Sequence, residues 1–370
     1  MKIIADKNIP YLKGIAEHFG KVVYLESSAF SRDAIKGADT LIVRTVNRFD
    51  EAILKGSNVK LICSATIGYD HIDTAYCDAH GIAWRNAPGC NSGSVQQYVV
   101  SSLVTIARKK GFDLRDKSIG IVGVGNVGKK VAKACRILGM KVLLNDPPRQ
   151  TMESDNSFVG LKTIMEEADI ITFHTPLTKA GEYKTYHLAD SRFFSSLKKK
   201  PVIINSARGG IIDTFAIKEA IREDKISGAI IDCWENEPRI DLEYLDLADI
   251  ATPHIAGYSA DGKANATRIS LESVADFYGL GKEPVSQIKV PEPENTVIDL
   301  TCFKKSENPV FDAILQTYDP SSDFKRLKAS PETFRQLRNE YPLRREYFAY
   351  TVLNASEDEK IALNDLGFRI

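Results

Sequence analysis

One stretch of this sequence restricts the fold more than any other: residues 118–148 read SIGIVGVGNVGKKVAKACRILGMKVLLNDPP. An apolar run leads to Gly123, Gly125 and Gly128, a helical pattern follows, and a second apolar run ends at Asp146. This order predicts a parallel strand, helix and strand. The first glycine allows a tight turn, the second lets the backbone approach a pyrophosphate, and the third lets helix and strand pack closely. Phosphates would lie at the helix N-terminus, where free N–H groups favour negative charge. We expect a dinucleotide site; the alternative is a glycine-rich turn that only tightens the junction.

The acidic residue that ends the second strand bears on which dinucleotide binds. Asp146 can accept hydrogen bonds from a ribose diol and would repel a ribose 2′-phosphate. This favours NAD as the cofactor, although Arg149, shortly after it, leaves NADP as an alternative.

Short apolar runs alternate with helical patterns along most of the chain, which predicts parallel βαβ units. The runs that predict strands are KIIAD, KVVYL, TLIVR, VKLICSA and IAWRNA in the first third, then KSIGIVGVG, KVLLND, DIITFHT, PVIINSA, SGAIIDCW and DIATPH. The later runs are almost continuously apolar, as in strands that are covered on both faces. The predicted fold class is α/β, with two doubly wound parallel-sheet (Rossmann-like) domains and a small α+β C-terminal domain.

Three domains are expected from these patterns. Residues 1–95 and 257–285 would form a substrate-binding (lid) domain, residues 96–256 the NAD-binding domain, and residues 286–370 the C-terminal domain. A proline-punctuated stretch, VPEPEN, marks the last boundary. Beyond it, RREYFAYTVLN predicts a strand, and SEDEKIALNDLGF predicts a helix with a serine N-cap and an acidic first turn.

Charge and cysteine usage narrow the class of protein. The 370 residues contain 49 Lys and Arg and 49 Asp and Glu, so the whole molecule has no excess charge for nucleic acid or anionic membranes. The first residues lack a signal peptide's apolar core, and no stretch is apolar enough to span a membrane. The 6 cysteines form no C-x-x-C pair, which argues against a zinc site or a disulfide framework. We expect a cytoplasmic protein without a metal.

Three polar residues follow predicted strands at the edge of the sheet where ligands bind in such folds. Arg208 follows VIINSA, Glu237 lies in IDCWENEP, and His254 follows DIATP. A fixed cation, a carboxylate and an imidazole suit hydride transfer at a carbon that bears a carboxylate. Arg208 would bind that carboxylate in a forked geometry, and Glu237 would orient His254 as the acid or base.

Each of these residues also has a structural interpretation. Arg208 could cap carbonyl groups, Glu237 could be a solvated acid, and a histidine after a proline is often a loop residue. Their combination with the dinucleotide motif favours the catalytic role. His174 in FHTPL is interpreted as structural or close to the cofactor, because the arginine and glutamate accompany His254.

The motifs GIVGVGNVG, FHTPL, NSARGGIID, DCWENEP and TPHIAGYS resemble those of the D-isomer-specific 2-hydroxyacid dehydrogenases, over residues 1 to about 285. The resemblance implies that the catalytic set is Arg208, Glu237 and His254. It also implies that the NAD contacts are Gly123, Gly125, Asn126, Val127, Gly128, Asp146, Thr175, Ser206, Ala207, Arg208, Asp232 and Gly257.

A narrower resemblance rests on DKNIPY, SATIGYDHID, HIAGYSADGKA and the C-terminal region. These stretches are similar to one branch of the family, which oxidises a phosphorylated four-carbon 2-hydroxy acid and carries a C-terminal dimerisation domain. The implied substrate contacts are Thr45, Thr66 and Tyr258; the pattern has Ser where this chain has Thr45, which keeps the hydroxyl and adds a methyl group. Arg44 is a candidate phosphate ligand, as are Arg344 or Arg345 across a homodimer interface.

Two other functions remain at this point. Another D-2-hydroxyacid dehydrogenase, for example one acting on 3-phosphoglycerate, would use the same catalytic residues. A non-catalytic, NAD-sensing corepressor could share the fold, although the three catalytic residues and the balanced charge argue against it.

Overall fold

Parallel strands form each sheet of the structure, a computed structural model that describes residues 1–154, 156–303 and 305–370. The strands, in chain order, are β1 Lys2–Asp6, β2 Lys21–Leu25, β3 Thr40–Val43, β4 Leu61–Ser64, β5 Ala83–Arg85, β6 Ser118–Val122, β7 Lys141–Asn145, β8 Ile170–Phe173, β9 Val202–Asn205, β10 Gly228–Ile231, β11 Ile250–Ala251, β12 Val297–Asp299 and β13 Thr351–Leu353.

Most connections between strands contain helices. The α-helices are α1 Arg32–Ile35, α2 Glu51–Leu54, α3 Thr74–Ala79, α4 Ser92–Lys110, α5 Asn126–Ile137, α6 Pro147–Glu153, α7 Leu161–Glu167, α8 Ser191–Ser195, α9 Thr214–Arg222, α10 Leu242–Leu247, α11 Ala260–Tyr278, α12 Pro309–Thr317, α13 Pro320–Ala329, α14 Phe334–Asn339 and α15 Glu357–Leu366. Short 3₁₀ helices span Ala16–His18, Ser27–Ala29, Leu114–Asp116, Gly209–Ile211, Glu283–Gln287, Leu300–Phe303, Pro331–Thr333 and Tyr347–Ala349. Within the described ranges, no helix combines the length and apolar character needed to cross a membrane.

The chain divides into two compact units, and each is described by itself. The first unit comprises residues 1–91 and 259–292, and the second comprises residues 92–258 and 293–370. The C-terminal segment therefore packs with the residues that contain the dinucleotide motif.

The first unit is built on a five-stranded sheet with the order β2-β1-β3-β4-β5. Successive residues of its central strands point to opposite faces, and both faces are covered. Ile42 packs with α11 residues such as Leu271, whereas Leu41 packs on the other face with residues such as Leu54 of α2. Burial on both faces explains why the strands have the almost uninterrupted apolar runs seen in the sequence.

The second unit contains a six-stranded sheet with the order β11-β10-β9-β8-β6-β7. One face packs on α4 and α5 through residues such as Ile121, and the other packs on residues such as Ile217 of α9. The chain order reverses between β6 and β8, so the loops after these strands flank the crevice where doubly wound sheets bind ligands. The prediction of two doubly wound parallel sheets is confirmed.

The C-terminal segment adds a two-stranded parallel sheet, β12 with β13, and helices that pack on the second unit. The predicted helix is confirmed as α15, with a reciprocal capping box between Ser356 and Glu359. The predicted strand is wrong over its first part, because Tyr347–Ala349 form a 3₁₀ turn and only Thr351–Leu353 are extended. Tyr347 and Tyr350 are both buried in one cluster. A turn brings residues three apart to the same side, which an extended strand would not do.

Candidate active site

The glycine loop connects β6 to α5, and each of its three glycines has a different environment. Gly123 has a φ of +90°, and a Cβ there would lie 2.8 Å from the backbone of His174 in the loop after β8. A Cβ on Gly128 would lie 2.1 Å from the Gly123 carbonyl oxygen. At Gly125 a Cβ would meet no described protein atom within 4 Å. The space beside Gly125, at the N-terminus of α5, is therefore available to a ligand phosphate.

Asp146 is oriented by this loop. Its Oδ2 accepts a hydrogen bond of 2.8 Å from the Val124 N–H, and its Oδ1 caps α6 by accepting from the Arg149 N–H at 3.1 Å. The Arg149 guanidinium donates to the Val124 carbonyl at 2.7 Å and forms a forked ion pair with Glu153. Glu153 neutralises the charge of Arg149. The Asp146 carboxylate is therefore the main charge beside the loop, and it favours a ribose diol over a 2′-phosphate.

Two buried hydroxyl groups in the same region fit a polar ligand. Thr175 follows β8 and Ser206 follows β9, and the Oγ atoms of both lack a hydrogen-bond partner among the described residues. Buried hydroxyl groups are rarely left unpaired, because desolvation without a partner costs free energy. Together with the space at Gly125, they match the polar groups of a dinucleotide.

His254 and Glu237 form a hydrogen-bonded pair in the second unit. The His254 Nδ1 lies 2.8 Å and 3.0 Å from the two carboxylate oxygens of Glu237, and the Trp234 N–H donates to Glu237 at 2.9 Å. Burial favours a raised pKa for Glu237, but the hydrogen bond and charge of His254, the Trp234 N–H and the charge of Arg338 together outweigh burial and lower it. An ionised carboxylate only accepts hydrogen bonds, so Nδ1 carries a proton and Nε2 is left to exchange one with a substrate.

The backbone of His254 is held in an unusual conformation. Its φ is +57°, a left-handed value that is uncommon for a residue with a side chain. The Asp232 carboxylate accepts hydrogen bonds from the next two backbone amides, at 2.7 Å from Ile255 and 2.9 Å from Ala256. It also accepts from the Thr252 hydroxyl at 2.7 Å. A carboxylate under the loop thus fixes the turn that presents the imidazole.

Asp232 is itself part of a buried network that the sequence did not reveal. Burial raises its pKa, while His254 and the hydrogen bonds from the Thr252 hydroxyl and the loop amides oppose that change. The Tyr98 hydroxyl, on α4, lies 2.8 Å from the Thr252 hydroxyl, and the Trp234 indole N–H donates to the Thr252 carbonyl at 2.9 Å. Nothing in the spacing of Tyr98 and Thr252 along the chain suggests this contact.

Arg208 directly precedes the 3₁₀ turn that follows β9. A Cβ on the adjacent Gly209 would lie 1.9 Å from the Trp234 carbonyl oxygen, so only glycine allows this turn to approach the Glu237 loop. The Arg208 guanidinium donates to the Ala207 carbonyl at 2.8 Å and forms no ion pair with a described carboxylate. A half-buried cation without a protein counterion can bind an anionic ligand.

Gly257 and Tyr258 end the same loop as His254. The Tyr258 hydroxyl accepts a hydrogen bond of 3.1 Å from Arg338, in α14 of the C-terminal segment. Arg344 and Arg345 are both buried within this chain, and Arg344 donates to the Ala256 carbonyl. The segment beyond residue 293 therefore supports the loop that carries His254.

The other predicted substrate residues belong to the first unit. Thr45 is exposed after β3, and the neighbouring Arg44 has its Nε 3.3 Å from Asp6. The Thr66 hydroxyl donates to the Gly68 carbonyl at 2.9 Å and lies 2.7 Å from the Ser64 hydroxyl.

The arrangement does not resemble a metal centre. The side chains of Cys233, Glu237 and His254 have potential ligand atoms within 4.8 Å of one another. Burial, reinforced by the nearby carboxylates, raises the pKa of the Cys233 thiol well above its ordinary value. A protonated thiol is a poor metal ligand, and the Glu237 carboxylate already pairs with His254.

Comparisons with known proteins agree with this chemistry. The model of the NAD-binding domain of D-isomer specific 2-hydroxyacid dehydrogenases matches residues 92–256. A second model, described as a domain of unknown function, matches residues 290–367. Among solved structures, NAD⁺-bound 3-phosphoglycerate dehydrogenase from Entamoeba histolytica aligns with a TM-score of 0.64 and 27% identity, covering 79% of this chain and 99% of that one.

Curated relatives extend over nearly the whole chain. The erythronate-4-phosphate dehydrogenase of Bacteroides fragilis is 51% identical over 354 residues, which are 95% of this chain and 99% of the relative. That of Porphyromonas gingivalis is 45% identical and covers 100% of both chains. This chain therefore belongs to the D-isomer-specific 2-hydroxyacid dehydrogenase family, in the group of the erythronate-4-phosphate dehydrogenases.

Proposed function

We propose that this protein oxidises the C2 hydroxyl of 4-phospho-D-erythronate to give 3-hydroxy-2-oxo-4-phosphooxybutanoate, with NAD as the oxidant, on a route to pyridoxal 5′-phosphate. The observation that carries the proposal is the hydrogen-bonded pair of Glu237 and His254, which lies in the unit that also contains Arg208 and the dinucleotide loop. The curated relatives supply the identity of the acid.

His254 acts as the base in the direction of oxidation. Its Nε2 accepts the proton of the substrate hydroxyl, while NAD, when bound, accepts the hydride from C2. The Glu237 carboxylate at Nδ1 stabilises the imidazolium that results. In the direction of reduction the same imidazolium returns the proton to the carbonyl oxygen.

Arg208 binds the substrate carboxylate. Its planar guanidinium offers two parallel N–H groups to the two oxygens, which fixes C2 relative to His254. The Gly209 turn holds Arg208 close to the Glu237 loop, so the position of the cation is set by backbone packing.

The residues proposed to hold NAD follow the carboxyl ends of β6 to β11. The glycine loop with Asn126 and Val127 would bind the pyrophosphate, Asp146 the ribose, and Thr175, Ser206, Ala207, Arg208, Asp232 and Gly257 the remaining polar groups. The support for this assignment is the space at Gly125 and the unpaired hydroxyl groups of Thr175 and Ser206.

We assign the substrate side to Thr45, Thr66 and Tyr258, with Arg44 as a ligand of the phosphate. Residues 1–95 with 257–285 would serve as the substrate-binding domain, and residues 96–256 as the NAD-binding domain. Residues 286–370 would form the contacts of a homodimer, which is supported by exposed apolar side chains such as Phe348 and Leu353. We place the enzyme in the cytoplasm, where its cofactor and phosphorylated substrate are retained.

The test is NADH formation by the purified protein with NAD and 4-phospho-D-erythronate, beside 3-phosphoglycerate, D-lactate and D-glycerate. A 2-oxo acid added in parallel detects turnover that retained cofactor would hide. Selective oxidation of the phosphorylated four-carbon acid supports the proposal. A preference for 3-phosphoglycerate would keep the chemistry and replace the substrate, and NADH binding without any turnover would favour a sensor protein.

A further inference from the structure

Helix α14, in the segment that matches a domain of unknown function, is anchored to the core of the second unit. Phe334 at its start is 1% exposed and belongs to the apolar cluster that includes Trp234, near Glu237. Residues four apart lie on the same face of a helix. Arg338 is therefore on the buried face of α14, whereas Arg335 is exposed to solvent.

The guanidinium of Arg338 has unused hydrogen-bonding capacity. Its Nη2 donates to the Tyr258 hydroxyl at 3.1 Å, and its Nε is buried and has no partner among the described residues. It forms no ion pair with a described carboxylate at salt-bridge distance. A buried N–H that donates to nothing costs free energy, which an anionic ligand would recover.

The charge of Arg338 acts on the catalytic residues. Burial raises the pKa of Glu237, whereas His254 and the Trp234 N–H lower it. The charge of Arg338 makes a further, smaller contribution to the lowering. Arg338 donates to Tyr258, which ends the loop that carries His254, and the turn after Arg208 packs on the Trp234 carbonyl of the Glu237 loop. The two guanidinium groups thus belong to segments that border the His254 and Glu237 loops, and each is without a carboxylate partner among the described residues.

A substrate with an anionic group at each end requires two such cations. Arg208 is assigned to the carboxylate, and a phosphate carries nearly two negative charges near neutral pH. An arginine with parallel N–H groups matches phosphate oxygens better than a point charge does.

We infer that Arg338, with the Tyr258 hydroxyl beside it, binds the phosphate of the substrate within the same chain. This gives a binding role to the C-terminal segment, and it rests on the proposed function above.

The experiment compares kcat/KM for 4-phospho-D-erythronate and for D-erythronate, which lacks the phosphate, in wild type and in Arg338→Ala. Loss of a charge-assisted hydrogen bond predicts a fall of about 10- to 100-fold for the phosphorylated acid, mainly in KM. We expect little change for D-erythronate. Arg335→Ala, on the exposed face of the same helix, is the matched control and should behave as wild type.

Three results would overturn the inference: an unchanged kcat/KM for the phosphorylated acid in Arg338→Ala, equal losses on both acids, or a loss confined to kcat. Equal losses would mean that Arg338 only positions Tyr258. Arg338→Lys keeps the charge and should fold even if the alanine variant does not. We expect it to lose less of the preference for the phosphorylated acid than Arg338→Ala does.

A second readout is independent of turnover. Inorganic phosphate is titrated calorimetrically into the NADH complexes of wild type and Arg338→Ala, and weaker binding by the variant is expected. Equal affinities would contradict the inference. Failure of wild type to oxidise 4-phospho-D-erythronate would instead contradict the proposed function, and the phosphate titration would still decide whether Arg338 is a phosphate ligand.

Discussion

At the scale of single residues, the contact between Glu237 and His254 occupies Nδ1 and leaves Nε2 for the substrate of the proposed reaction. The carboxylate is 2.8 Å from Nδ1, and the Trp234 N–H prevents it from rotating freely. The pKa of Glu237 is lowered despite its burial, so the carboxylate remains charged at neutral pH. A charged acceptor at Nδ1 would stabilise the imidazolium that the proposed base step of the oxidation forms.

The first prediction concerns the charge of this carboxylate. Glu237→Gln should keep the side-chain shape and lower kcat on the order of 10²-fold or more, because the imidazolium loses its stabilising partner. Steady-state kcat at neutral pH checks this, with NADH binding as the control for folding. A kcat close to that of wild type would contradict the pairing role.

The second prediction concerns the shape of Arg208. Arg208→Lys keeps the charge but loses the two parallel N–H groups, so kcat/KM should fall by roughly 10²-fold, corresponding to about 2.7 kcal/mol. NADH affinity should change much less, because the proposed contact is with the substrate carboxylate. Stopped-flow binding of NADH separates the two effects. Equal losses in NADH binding and in kcat/KM would assign Arg208 to the cofactor instead.

At this scale, the sequence allowed predictions for polar residues whose chemical type and place after a strand both suit a catalytic role. Arg208, Glu237 and His254 each follow a buried strand, so their types and places could be predicted together, although their roles stay predictions. The contacts of Asp232 with the Ile255 and Ala256 amides could not be predicted, because they depend on how the loop after β11 turns back.

At the scale of elements, the loop from β6 to α5 must both pack within the protein and leave space for a ligand. The glycine motif alone does not show which glycine serves which purpose. Gly128 must be glycine because the loop's own carbonyl occupies the space of a Cβ. Gly125 borders open space, so a Cβ there would meet no described atom of the protein. The space beside Gly125 is left for the proposed ligand.

The third prediction follows from this difference. Gly125→Ala displaces no described atom of the protein, so its cost to the free energy of unfolding comes only from the backbone, whose φ of −75° and ψ of −149° alanine does not favour, and it should be smaller than the cost of Gly128→Ala. It should still weaken NADH binding, because the methyl group occupies the space of the pyrophosphate. Gly128→Ala should destabilise the fold by roughly 1–3 kcal/mol. Urea unfolding and NADH fluorescence titration measure both effects, and unimpaired NADH binding by Gly125→Ala would contradict the assignment.

The strands of the α/β sheets could be predicted because burial on both faces imposes a long apolar run, a pattern that local sequence shows directly. The segment around Tyr347 was harder. Its aromatic and β-branched residues suit a strand, yet the contacts of two buried tyrosines with the rest of the second unit favour a turn. Such contacts come from residues distant in the chain.

At the scale of the whole molecule, the C-terminal segment is not an independent appendage. Residues 293–370 belong to the same compact unit as the dinucleotide loop, and Arg338 and Arg344 both contact the loop that carries His254. The sequence marked a boundary at the prolines but contained no sign of this packing, because the contacts join α14 to a loop about 80 residues earlier. Truncation before residue 293 would thus remove part of the support of the active site.

Two desolvated histidines connect the fold of the whole chain to pH. Desolvation lowers the pKa of the half-buried His174 to about 3, and burial lowers the pKa of His71 in the first unit. Between the ordinary imidazole value of about 6.5 and about 3, the unfolded chain binds a proton at His174 that the folded chain does not bind. Lowering the pH therefore favours the unfolded state, and the free energy of unfolding decreases as the solution becomes more acidic.

The fourth prediction is that His174→Gln removes this part of the acid sensitivity. Each pH unit below about 6.5 should cost wild type at most about 1.4 kcal/mol relative to the variant, or about 2 kcal/mol at pH 5. Urea unfolding of both proteins at several pH values measures the difference. Between pH 7 and 8 the two curves should run parallel, because His174 is neutral in both states there. A difference that does not grow from pH 7 to pH 5 would mean that His174 becomes protonated within the folded protein, and that the loop after β8 opens to water.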